Sequence, residues 1–365
     1  MPSTRDLLGV PALPPPAATA AGNRLRAAVG RLYRGAAPPP VRIIEGVLGM
    51  LDTGALAALC DAGVPDALTG PTTPAELAAR LGVDHDRLER LLRFGAARGW
   101  LVVDRRDRVR PNAVTRFLRT DHPGGWRAWV DFAGGPEIVA AVASLRRLDA
   151  DDVFAATHGA PFFEWMAAHP ERQAAFNGAM AAGARMHGLT LAAALPWPAP
   201  TTVCDVGGGT GALLATLADL VPGLTGTVLD LPDVVAHAVS HPRVEAVAGN
   251  AFEAVPAGFD TYLLVNVLHD WADAEAEQLL RTTGAAAAAG STGRVVVVEA
   301  EAAARPRDDI AARADVLMAA LTPGGRERDR AAFERLGAAA GLRLDAVVPL
   351  ASGDAAFVLV ASSRA

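Results

Sequence analysis

From residue 200 onward, short apolar runs alternate with stretches of helical spacing, and this constrains the fold more than any other feature of the 365-residue chain. Strands are expected at Thr202–Val206, Gly226–Leu229, Val244–Ala248, Thr261–Val267 and Arg294–Val298, with two more at Leu342–Pro349 and Ala356–Ala361. The spacing between them predicts helices over 211–219, 273–288 and 330–340. Strands that read as near-continuous apolar runs are covered on both faces, which is the habit of parallel sheets with helical crossovers. The expected fold class is therefore α/β, with a doubly wound, mostly parallel sheet. Such sheets bind ligands beyond the carboxyl ends of their strands.

The first strand runs straight into Asp205-Val-Gly207-Gly208-Gly209-Thr210-Gly211 and then a helix. Glycines allow a sharp turn and let a ligand approach the backbone. Gly207, Gly209 and Ala212 satisfy a dinucleotide-type pattern that is weak alone, but the second strand ends in Leu229-Asp230-Leu231-Pro232. A carboxylate there can accept both ribose hydroxyls of an adenosine ligand. NAD and S-adenosylmethionine both carry that ribose. Asp205 favours the second, because an acid before the glycines suits a ligand amine and repels a pyrophosphate.

Upstream, residues 1–40 are rich in Pro and Ala, with prolines at 11, 14, 15 and 16, and read as a flexible arm with one basic helical stretch near Asn23–Arg34. A second region, 41–120, opens with apolar residues at helical spacing (Ile43, Ile44, Val47, Leu48, Leu51, Leu56, Leu59) that should bury one stripe. Thr73-Pro74 then starts a helix that Gly82 ends, and a second helix runs from Asp84 to about Arg98 with Leu88, Leu91, Leu92 and Phe94 inward. A hairpin around Asp104–Asp107 follows, which completes a winged-helix outline. Residues 121–200 look helical and aromatic-rich, a linker and lid region, and 201–365 form the ligand-binding domain.

Composition narrows the function. With 51% hydrophobic and 20% charged residues the chain can bury a core, and a net charge of −6 argues against nucleic acid as a partner. In the winged helix, Asp84, Asp86 and Glu89 stand among His85, Arg87, Arg90 and Arg93, which weakens a DNA-binding regulator reading. Every basic residue is arginine, so no lysine can act as a catalytic amine. Cys60 and Cys204 lie far apart and outside any Cys/His cluster, so no metal site is expected and the thiols suit a reducing cytoplasm. No uncharged apolar run of about 18 residues is present, so no membrane span is expected.

One further stretch, Leu263-Leu-Val-Asn-Val-Leu-His269-Asp270-Trp271, resembles the signature of the plant and bacterial small-molecule O-methyltransferases of the caffeate and hydroxyindole type. Asp205–Gly211, Leu229–Pro232, Gly324-Gly325-Arg326-Glu327-Arg328 and the Phe176-Asn-x-x-Met180 segment share the resemblance, which covers roughly residues 40–360. It implies a class I S-adenosylmethionine-dependent enzyme whose winged-helix domain forms a homodimer. It also implies His269 as general base, flanked by Glu299 and Glu327, and Asp205, Gly207, Gly208, Gly209, Gly211, Asp230, Leu231, Asn250, Ala251 and Phe252 around the cofactor. Phe176, Met180, Asp270 and Met318 fall on the acceptor side, for a small aromatic or polyketide-like secondary metabolite. Two positions depart from the family pattern. Asn250 replaces an acid after the third strand, and Val265 replaces a polar or basic residue four positions before the histidine. The same fold also serves N- or C-methylation, hydroxylation and pericyclic chemistry, so these remain alternatives, with an NAD-dependent oxidoreductase further off.

Overall fold

The computed structural model describes residues 13–289 and 293–362. Pro11 and the first twelve residues of the expected arm lie outside the described residues. The arm is helical over α1 (Pro16–Ala36), well beyond the predicted Asn23–Arg34 stretch, and none of the residues in α1 is buried. Pro16 costs this helix nothing, since a first-turn N–H has no intrahelical partner.

The chain divides into two compact units, and the first is built from Tyr33–Val139 and Glu171–Ala182. It contains α2 (Pro39–Leu48), α3 (Met50–Asp61), α4 (Val64–Ala67), α5 (Pro74–Leu81), α6 (His85–Ala97), the hairpin strands β1 (Val102–Val103) and β2 (Val109–Arg110), α7 (Ala113–Phe117) and α8 (Arg127–Ala133). Thr73 and Glu76 form a reciprocal capping box at the start of α5, and Gly82 ends it in the left-handed conformation. Leu59, Leu68, Leu77, Leu88, Leu92 and Val109 close a small core, while Leu91 and Phe94 are only half-buried. The expected apolar stripe is split. Leu59 and Ala55 are buried, whereas Ile43 is 66% exposed and Val47 60% exposed. By length and composition alone, Pro39–Asp61 is apolar enough to cross a membrane, against the expectation that no segment would be. Its apolar residues form this uncovered face, and Arg42, Glu45, Asp52 and Asp61 interrupt it.

Ala140–Pro170 and the chain from Gly183 onward, with Ala12–Leu32, make the second unit. Next along the chain come α9 (Pro136–Ala143), α10 (Val153–His158), α11 (Phe162–Ala167) and the long α12 (Pro170–Ala194). The sheet then begins with β3 (Thr201–Val206), α13 (Ala212–Leu220), β4 (Leu224–Asp230), α14 (Pro232–Val235), β5 (Val244–Ala248) and β6 (Thr261–Val265). It ends with α15 (Asp273–Ala288), β7 (Arg294–Glu299), α16 (Ile310–Leu321), α17 (Arg330–Ala339), β8 (Leu342–Pro349) and β9 (Ala355–Ala361). Seven strands lie in the order β5-β4-β3-β6-β7-β9-β8, and only the β7–β9 and β9–β8 pairs are antiparallel.

Side-chain alternation gives the sheet two cores. Cys204, Tyr262, Leu264, Val295 and Val297 pack with Leu280 of α15 and Phe333 of α17 on one face. Val203, Leu263, Val296 and Val298 pack with Leu214 and Leu217 of α13 and Leu191 of α12 on the other. Each such aliphatic side chain contributes about 1.5–3 kcal/mol by leaving water, enough to hold helices on both faces. Strand order reverses between β3 and β6, which sets the loops after these two strands side by side.

Candidate active site

The loop after β3 is shaped by backbone that only glycine adopts easily: Gly207 has φ +70°, Gly209 +60° and Gly211 +80°. Gly208 is needed for a different reason. A Cβ there would stand 2.5 Å from Asp205 Oδ2. Asp205 is buried, and its Oδ2 has no hydrogen-bond partner. Burial, reinforced by the nearby Asp230 charge, pushes its carboxyl up to about 7. At the end of β4, Asp230 accepts the Gly209 N–H at 2.7 Å and the Leu231 N–H at 2.7 Å. Each carboxylate oxygen still has a lone pair to offer a ribose hydroxyl. Asn250, after β5, caps its own turn, accepting the Phe252 N–H at 3.1 Å and donating to Glu253 at 3.0 Å. Ala251 and Phe252 follow it half-buried. An unsatisfied buried acid, a glycine cradle and a strand-end carboxylate together fit S-adenosylmethionine, whose amine, adenosine and ribose match them in type.

The predicted strand Thr261–Val267 stops at Val265, because Asn266 takes a left-handed φ of +53°. Asparagine tolerates that conformation far better than a β-branched residue. The chain then makes a short 3-10 turn, Leu268–Asp270, which delivers His269. Glu327 Oε1 lies 2.9 Å from His269 Nδ1. Glu299, at the end of β7, accepts the backbone N–H of His269 at 2.9 Å. The two glutamates thus do different things: Glu327 holds the ring, and Glu299 holds the main chain. With Nδ1 engaged, Nε2 is the nitrogen left for an acceptor, and Asp270 Oδ1 stands 3.7 Å from it, beyond hydrogen-bond range.

Three carboxylates around one buried imidazole set its charge. Burial alone would push His269 down, but Asp270, the hydrogen bond to Glu327 and the Glu299 charge outweigh it and raise the ring to about 10. Burial raises Glu299 to about 7 and Asp270 to about 6, each opposed by attraction to His269.

Arg328, to which the motif reading gave no role of its own, holds this turn together. Its guanidinium is almost fully buried and donates to Leu268 O at 2.6 Å, Trp271 O at 2.7 Å and Asp273 Oδ1 at 3.0 Å. The Gly324–Arg328 segment lies directly on the histidine turn: Arg326 N–H donates to His269 O at 2.8 Å, and a Cβ on Gly325 would meet that same oxygen at 2.8 Å. Asp315 in α16 accepts the Glu327 N–H at 2.9 Å. Nothing in the sequence ranked Arg328 or Asp315 above other surface charges.

Trp271 packs among aromatic rings, stacked on Phe163 at 6.1 Å and edge-on to Phe252 at 4.8 Å. Asp270 does not cap α15, whose N-cap position is Ala272. Met318 is buried in α16. The second unit therefore brings together His269, Asp270, Glu299 and Glu327 beside the glycine loop. Phe176 and Met180 belong to the first unit, where Phe176 meets Phe132 edge-on at 5.4 Å. Among the described residues no group of His, Cys, Asp and Glu is arranged to hold a metal.

Residues 138–343 match the model of an O-methyltransferase domain, and residues 44–121 that of an O-methyltransferase dimerisation domain. A 2,7-dihydroxy-5-methyl-1-naphthoate 7-O-methyltransferase of Streptomyces carzinostaticus is 36% identical over 77% of this chain and 86% of its own length. An 8-amino-8-demethylriboflavin N,N-dimethyltransferase of Streptomyces davaonensis is 32% identical over 72% of this chain and 86% of its own. The crystal structure of CalO1, a methyltransferase of calicheamicin biosynthesis in its S-adenosylhomocysteine-bound form, superposes with a TM-score of 0.79 at 32% identity, covering 88% of this chain and 98% of that one.

Proposed function

The chain belongs to the S-adenosylmethionine-dependent O-methyltransferase family, and on that premise we propose that it methylates a hydroxyl of a small aromatic or polyketide-like metabolite with His269 as general base. The cofactor, when bound, supplies a methyl electrophile on a positively charged sulfur. The chain's own task is then to align an oxygen, relieve it of its proton and exclude water.

The observation that carries the base assignment is the Glu327–His269 Nδ1 contact of 2.9 Å. In the neutral ring it fixes the tautomer so that Nε2 presents a lone pair. A phenol with a pKa near 10 gives its proton to free imidazole at a cost of roughly 5 kcal/mol, about 3.5 pKa units. The carboxylates of Glu327, Glu299 and Asp270 raise the imidazole's affinity for that proton and so reduce the cost. Asp205 and Asp230 hold the amine and the ribose, Gly207–Gly209 give backbone access, and Phe252 walls the adenine side. Asn250 offers the adenosine a neutral amide in place of an acid.

The test is to incubate the chain with S-adenosylmethionine and a panel of phenols and naphthols, reading a gain of one methyl group by mass. Transfer only to anilines or aminoarenes would favour the second reading, N-methylation, which the riboflavin-type relative supports. The match of 44–121 to a dimerisation domain, together with the uncovered face of α2 and α3, supports a homodimer built on that face. A monomeric mass in light scattering at micromolar concentration would refute it.

A further inference from the structure

A second carboxylate–imidazole pair lies near the first and has no part in the chemistry above. His187, in the half of α12 that packs on the sheet through Leu191, is only 7% exposed. Its Nε2 lies 2.9 Å from Asp354 Oδ2. Asp354 immediately precedes β9, and its neighbour Ala355 pairs in register with Glu299, the residue that holds the His269 backbone. The pair therefore stands at the same carboxyl edge of the sheet as the candidate base, two strands over and beside the end of β7. His269 is also among the charges felt at Asp354.

The other ring nitrogen of His187, Nδ1, is buried and has no partner, and among the described residues no other imidazole has a buried nitrogen left in that condition. His241, for contrast, faces Asp219 with one nitrogen and accepts the Arg243 N–H with the other. Burial by itself would raise the Asp354 carboxyl, but the hydrogen bond and charge of His187 hold it below the usual range. An ionised Asp354 is purely an acceptor, so Nε2 carries a hydrogen, and whenever the ring is neutral its Nδ1 is a bare acceptor. Buried polar atoms are almost always satisfied, and what satisfies this one must donate.

We propose that the His187–Asp354 pair is a second hydrogen-bonding station for the acceptor, where His187 Nδ1 receives an O–H of the substrate other than the one methylated. The preferred acceptor is then a dihydroxy arene in place of a simple phenol, and His187 is a specificity residue. This rests on the O-methyltransferase reading for the identity of the ligand.

Binding can be tested without turnover. The protein loaded with S-adenosylhomocysteine is titrated calorimetrically with 2-naphthol and with a set of dihydroxynaphthalene isomers. At least one diol is expected to bind about tenfold tighter than 2-naphthol, as one satisfied buried hydrogen bond implies. His187→Phe should erase that advantage and leave the affinities for 2-naphthol and S-adenosylhomocysteine within about threefold, the scatter allowed for an untouched contact. Asp354→Asn, which removes the charge that fixes the tautomer with little change of volume, should erase it too. The proposal is overturned if no diol is preferred, if the preference survives both substitutions, or if His187→Phe loosens S-adenosylhomocysteine instead. Absence of methyl transfer to every hydroxyl acceptor would sink the function proposed above, while these binding constants would still decide the role of His187.

Discussion

The two halves of the site are built by different means. The cofactor side is one continuous device: strand β3, a glycine turn and the start of α13, joined by a single carboxylate from the next strand. The imidazole side is assembled from three turns far apart in the chain, with Glu299 on the main chain, Glu327 on the ring and Arg328 beneath. Backbone shape sets the first half, and a network of buried charges sets the second. The difference teaches where each fails: the cradle through sterics, the nest through the loss of any one charge.

Substitutions should separate these halves cleanly. The largest effect is expected for His269→Ala, which should cut turnover about 1,000-fold while S-adenosylhomocysteine binds within threefold of wild type. Comparable turnover in that variant would remove the ring as base. Next comes Gly208→Ala. Its Cβ would collide with Asp205 Oδ2, and S-adenosylhomocysteine should bind about 100-fold more weakly with the pH profile of any residual activity unmoved. A shifted profile would mean that the halves are not independent. The smallest effect is one of pH. His269 is held at about 10 against 6.5, Glu299 at about 7 against 4.5, and Asp205 at about 7 against 3.8. All three bind protons more tightly folded than unfolded, so the stability they add is fully present below the unfolded values and is lost as pH rises through the folded ones. The Tm of the cofactor-free chain should therefore fall from pH 5 to pH 10. In Glu327→Gln the part lost above pH 7 should shrink, because the imidazole loses one of the groups that raise it. A Tm that rises over this range would contradict the charge assignment.

Legibility in the sequence follows the same division. The strands after residue 200 were readable because parallel strands buried on both faces leave apolar runs, and β5 and β8 begin and end where the pattern put them. Their neighbours differ by a residue or two, and β6 ends early because Asn266 turns the chain, which no apolar count reveals. The glycine loop was readable because each of its parts is local. Resemblance supplied His269 and the two glutamates, but it gave Glu299 to the imidazole, where the structure gives it to the backbone. Arg328, Asp315 and the His187–Asp354 pair were invisible because their partners lie 60, 12 and 167 residues away. The stripe of α2 and α3 was readable as apolar but not as uncovered, since periodicity reports that a face is greasy and not what covers it.

Arg328 carries a consequence of its own. One guanidinium ties the carbonyls of Leu268 and Trp271 to a segment just ahead of α17. The imidazole's position therefore depends on a peripheral strap as well as on the sheet that bears it, and such straps open before cores do. Under rising denaturant the molecule should fall silent while its β-structure still reads as native, so that inactivation marks the release of one cation and not the melting of the fold.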